Sequence, residues 1–158
     1  MFSKPTILCV ALAVAGVALA APGRALADDT ASCSVIEIGA TNAKDPSIPP
    51  GLKPLEKKLK KPPLSSWNSF KVMSSTTLNL SAMRAAPVKL ATGQASLMLR
   101  EIEKREGKRP RLALAVTMDD ASGKRVVDSK VSVDAGDTLM VGSLVNDDGH
   151  FLAISCKP

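Results

Sequence analysis

RLALAVTMDDASGKRVV, residues 111–127, decides the class of fold. Leu112, Leu114, Val116 and Met118 fall on every second position. Successive side chains of an extended chain point to opposite faces, so this spacing lines four apolar groups along one side of a strand. Asp119, Asp120, Ala121, Ser122 and Gly123 then supply turn chemistry, since aspartate and serine bond nearby amides and glycine accepts left-handed backbone. Val127, Val131 and Val133 resume the same phase on the far side of the turn.

Working outward, Asp134, Ala135, Gly136 and Asp137 form another turn, and residues 139–144 and 150–156 read as a hairpin across Asn146, Asp147, Asp148 and Gly149. Upstream, residues 88–91 and 95–102 read as a hairpin around Thr92 and Gly93, with Leu97 and Leu99 facing together. Residues 97–105 contain strong helix formers, but the alternation of residues 94–99 and the breakers Gly107 and Pro110 favour a strand. Residues 34–40, 67–73 and 76–80 are further candidate strands. About seven to nine short strands with regular turn signals predict a mainly β fold, an antiparallel β-sandwich of Ig-like or small-barrel type.

One segment has a different period. Leu52, Leu55 and Leu59 share one face of a short α-helix running from about Leu52 to Lys60, while Lys57, Lys58 and Lys60 point elsewhere. Pro54 fits its first turn, and Pro62 with Pro63 stops it. Trp67 and Phe70 are expected to re-enter the core, Trp67 as a packing residue rather than a ligand platform.

Residues 7–21 form an unbroken apolar run, short of the ~18 residues that a membrane span needs. Ala25 and Ala27 then present small residues to a signal peptidase, so residues 1–27 are expected to be a cleaved signal peptide, with Ala20 as a second cut site. Residues 28–158 would form a single domain, periplasmic or secreted, with no transmembrane segment after cleavage. Export makes Cys33 and Cys156 a disulfide in expectation, the alternative being two buried thiols. A zinc site is excluded, because His150 is the sole histidine and no paired-cysteine motif exists.

Loss of Lys4 and Arg24 lowers the formal charge from +6 to +4, well short of a nucleic-acid-binding signature. With three phenylalanines, one tryptophan and no tyrosine, stacking platforms for nucleic acid are also scarce. His150 follows a turn, and no glycine-flanked serine elbow accompanies it; Gly142 and Ser143 lack the second glycine. It reads as an exposed turn histidine. Paired aspartates at positions 119–120 and 147–148 read as turn residues, with no calcium-loop spacing. No catalytic residue, metal or cofactor is expected.

Two basic stretches remain. Lys53, Lys57, Lys58, Lys60 and Lys61 form one, and Lys104, Arg105, Lys108, Arg109 and Arg111 the other. Brought together, they could hold an anionic surface such as lipopolysaccharide phosphates. Separately, they are solvated faces.

The order I-x-I-x-A-T at Ile36 to Thr41, L-x-x-L-x-x-x-L at Leu52 to Leu59, and K-P-P-L-S-S-W-N-S-F-K-V-M at Lys61 to Met73 resembles a group of uncharacterised small secreted proteins of Gram-negative bacteria. The resemblance implies an exported bacterial β-domain and carries no activity. DAGDTLMVGSL, Asp134 to Leu144, is also similar to a strand pair in outer-membrane secretins, with Ser143 where those proteins usually have a glycine.

The expected function is an exported, non-catalytic binding or envelope-accessory domain, monomeric, acting on a protein through a sheet edge or the surface near Trp67. An electrostatic binder of an anionic envelope polymer through the two basic stretches is the second reading. A hydrolase using His150 is the third.

Overall fold

The computed structural model describes residues 29–158; the signal-peptide expectation for residues 1–27 lies outside them. Eight strands run in chain order: β1 Thr30–Thr41, β2 Ser69–Ser81, β3 Ala85–Lys89, β4 Gln94–Glu103, β5 Arg111–Asp119, β6 Arg125–Asp134, β7 Thr138–Val145 and β8 Asp148–Lys157. They form two four-stranded antiparallel sheets, ordered β2-β1-β8-β7 and β3-β4-β5-β6. The sheets stack as a sandwich and do not close into a barrel. No described helix is long and apolar enough to cross a membrane.

The core between the sheets follows from the alternation. Leu112, Leu114, Val116 and Met118 of β5 are fully buried against Val35, Leu152 and Ile154 of the other sheet. Each such side chain contributes about 1.5–3 kcal/mol on burial. The alternate residues of β5 are only half-buried, so that strand has one dry face. In β8, by contrast, Gly149 to Ile154 are all buried. The reason is a third layer: Ile38, Ala40, Phe151 and Ala153 on the outer face of the first sheet are covered by Leu52, Leu55, Leu59 and Leu64. A central strand covered on both faces reads as a continuous apolar run, and the alternation signal disappears.

That covering segment departs from the expected helix. Pro50–Leu55 is a 3-10 turn, and only α1, Glu56–Leu59, is α-helical. Pro54 inside the 3-10 segment has no amide hydrogen to donate, which removes one helical bond. The leucine stripe still faces the sheet, and Lys53, Lys57, Lys58 and Lys60 still face water. Trp67 precedes β2, stacks edge-on against Phe151 with centroids 5.3 Å apart, and donates from Nε1 to the carbonyl of Asp147 at 3.0 Å.

The two strands expected over residues 67–73 and 76–80 are one. Ser74 pairs with Glu37 and Val72 with Ile38, so Met73 is an extra residue on β2. This bulge shifts the phase of the alternation in mid-strand and mimics a strand end in the sequence. Cys33 and Cys156 stand directly opposite on β1 and β8, bonded, with their Cα atoms 4.1 Å apart.

Candidate functional site

Glu37 continues the inward-facing row of Cys33 and Val35 on β1, and it is completely buried. Five donors meet its carboxylate. Ser74 Oγ on β2 donates to Oε2 at 2.6 Å, and so does the amide of Ala91, also at 2.6 Å. The amide and hydroxyl of Thr92 donate to Oε1 at 3.2 and 3.1 Å. His150 Nε2 on β8 lies 2.8 Å from the same oxygen. Ala91 and Thr92 belong to the β3–β4 turn of the opposite sheet, so one side chain ties the two sheets together. Gly93 makes that turn possible, with φ of +101° and a position where any Cβ would strike the Asp119 carbonyl.

Burial alone would raise the pKa of Glu37, but the hydrogen bonds from Ser74, Ala91, His150 and Thr92 outweigh it and hold the carboxyl below its ordinary value. An ionised carboxylate only accepts, which assigns the hydrogen to Nε2 of His150. Nδ1 has no hydrogen-bond partner among the described residues, and His150 lines the adjoining space. His150 is 7% exposed. The exposed turn histidine expected from the sequence is thus a buried one, because β8 begins two residues earlier, at Asp148, and alternation turns position 150 inward.

The adjoining space is a cleft of about 760 Å³ at this end of the sandwich. The end of β1, the start of β2, and the turns after β3, β5 and β7 enclose it. Ala40, Phe70, Met73 and Val145 supply apolar wall, Thr92, Ser122 and His150 supply polar groups, and Lys71, Asp120 and Asp148 also border the space. Such a mixture, mostly apolar with a few fixed polar groups, is the usual composition of a small-ligand site.

A histidine held by a carboxylate is the base and orienter of an acyl-transfer site. The third member is not assembled. Ser143 stands opposite His150 in the β7–β8 register, on the same face, but its hydroxyl is buried and makes no hydrogen bond to the ring. No cluster of three metal-ligating side chains exists among the described residues.

The structure brings the two basic stretches to a common neighbour, residues 134–138. Lys58 donates to the carbonyl of Thr138. Arg109 forks onto Asp137 at 2.9 and 3.1 Å, and Arg105 and Arg111 both reach Asp134, at 2.6 and 3.0 Å. Arg111 and Arg105 hold the Asp134 carboxyl below its usual range. Lys60 and Lys53 bracket Glu56. The arginines are thus engaged with aspartates, while Lys57, Lys61, Lys104 and Lys108 are exposed and outside the ion pairs of the described residues. Glu37, Ser74 and Thr92 were not candidates from the sequence. The signal for Glu37 was a charged residue in phase with Cys33 and Val35, a position that points into a core.

No family model, curated protein or solved structure matches this chain.

Proposed function

We propose that the protein is an exported, non-catalytic binding domain, periplasmic or secreted, that takes its ligand in the cleft beside His150. The observation that carries this reading is the buried carboxylate of Glu37, which holds His150 by Nε2 where that residue lines a largely apolar cleft. A ring held in place by Glu37, itself fixed by five hydrogen bonds, meets a ligand with little entropy left to lose on binding. Export is supported by the Cys33–Cys156 disulfide, a bond that persists in oxidising compartments. The cleft suits a ligand with an apolar body and one polar group that meets His150.

Titration of the ¹⁵N-labelled protein with envelope extract tests this by amide shift mapping. Shifts centred on Gly39, Thr92, Ala121 and His150 are expected, and His150→Ala should weaken them. Shifts confined to the lysine face around α1, abolished by salt, would favour the electrostatic reading instead.

A further inference from the structure

Each sheet of an open sandwich has two edges, and exposed edges invite another strand unless they are blunted. Three of the four here are blunted. β3 is five residues long and contains Pro87 and Lys89. β6 carries Arg125, Asp128, Lys130 and Asp134. β2 is bulged at Met73, carries Lys71, and has its first residue bridged by Ser47. The fourth, β7, reads TLMVGSLV: eight residues with no charge, no proline and no register shift. Among the described residues, no backbone bond made outside the strand ladders involves residues 138–145. Of the three large apolar residues that stand exposed among the described residues, two, Leu144 (68%) and Val145 (44%), end this strand.

We propose that β7 is a pairing edge for a second copy of this chain, the two strands running antiparallel about a twofold axis through Gly142. Directly opposed residues of an antiparallel pair share a face. On β7, Leu139 and Val141 lean toward the inter-sheet core and Met140 toward the outer layer. A twofold at Gly142 keeps those faces matched. It sets Met140 against Leu144 of the second copy, Leu139 against Val145, and Val141 against Ser143. An axis at Val141 would instead leave Leu144 opposite Thr138.

Charge selects a second copy over an unrelated strand. Lys58 sits on the carbonyl of Thr138 at one end of β7, while Asp147 and Asp148 follow its other end. Lys58, Asp147 and Asp148 belong to no ion pair among the described residues. Antiparallel pairing brings the lysine end of each copy to the acidic turn of the other, and symmetry makes this contact twice. The result is one continuous sheet through both copies, a departure from the monomer expected from the sequence. It shares Val145 and Asp148 with the lining of the cleft but does not rest on the ligand reading.

Sedimentation equilibrium of the mature protein in low salt should show a concentration-dependent dimer that weakens as salt rises. Leu144→Lys, and separately the charge reversal Asp148→Lys, should each weaken association at least about tenfold, since each sets a lysine in or beside the seam, one against an apolar partner and one against Lys58 of the other copy. Circular dichroism unchanged from the parent shows that either variant is folded. The double change Met140→Cys with Leu144→Cys should give a reducible covalent dimer on mild oxidation, and Leu144→Cys alone should not. A parent protein monomeric up to about 1 mM, or association unaffected by both charge changes, would overturn the proposal.

Discussion

Cys33 and Glu37 stand four positions apart on the same face of β1, yet they hold the sandwich by opposite means. Cys33 is bonded to Cys156 on the neighbouring strand of its own sheet, closing a separation of 123 residues. Its effect lies mainly in the unfolded chain, whose freedom the link removes. Glu37 makes no covalent bond and reaches across to the other sheet. Its effect lies wholly in the folded state and depends on a proton being absent. One end of the molecule is therefore sensitive to redox state and the other to pH, and the cleft opens at the second.

The comparison breaks first at the disulfide. Replacing Cys33 and Cys156 together by alanine should cost about 5 kcal/mol in urea unfolding, as the chain-entropy account gives for a loop of this length. A loss under about 1 kcal/mol would mean that the link constrains little and that the ranking of the two regions is wrong. Glu37→Leu comes next, at about 3 kcal/mol, because it removes the shared acceptor of the part-buried donors of Ser74, Ala91 and Thr92 and of buried His150. Glu37→Gln keeps an acceptor and should cost less, about 1–2 kcal/mol. Hydrogen exchange sharpens the contrast: Glu37→Gln should speed exchange at Ala91 and Thr92, and the cysteine change should not. The smallest effect belongs to Arg109→Ala, whose fork onto Asp137 is exposed to solvent and screened by salt. A large loss of stability there would contradict the reading of the second basic stretch as a solvated surface.

How much of this was legible in the sequence varied with how many faces each strand buries. β5 has one dry face, and Leu112 to Met118 announced both its class and its phase. The β3–β4 hairpin follows from Thr92 and Gly93, and the disulfide from the expectation that residues 1–27 are a leader, which sets Cys33 and Cys156 apart as a pair. β2 was divided in the reading because the Met73 bulge moves the alternation out of phase at Ser74 and Ser75. The covering stripe of Leu52, Leu55 and Leu59 is legible in the sequence, but the first half of the expected helix, which contains Pro54, takes 3-10 geometry. The site was the least legible part. His150 looked exposed because it follows a turn, and its burial depends on register with Gly39 across β1, which no local pattern reveals. Thr92 was read as a turn residue only, since nothing in a hairpin loop states that it will fold over a carboxylate 55 positions away in the chain.

The central claim is that the Glu37 carboxylate, ionised, ties the two sheets together beside the cleft. A folded-state pKa held below the ordinary 4.5 means that the native protein binds this proton less readily than the unfolded chain does. The stabilisation is then fully present above about pH 4.5 and is lost as pH falls through the lower folded value. Asp119 and Asp134 are depressed in the same direction by Arg125 and by Arg111, so a background slope persists in every variant. The decisive measurement is urea unfolding of the parent and Glu37→Gln from pH 7 to pH 3. The account predicts that the parent loses its advantage over the variant across the acid limb, the two curves converging as Glu37 takes up its proton. Curves that stay parallel throughout would contradict it.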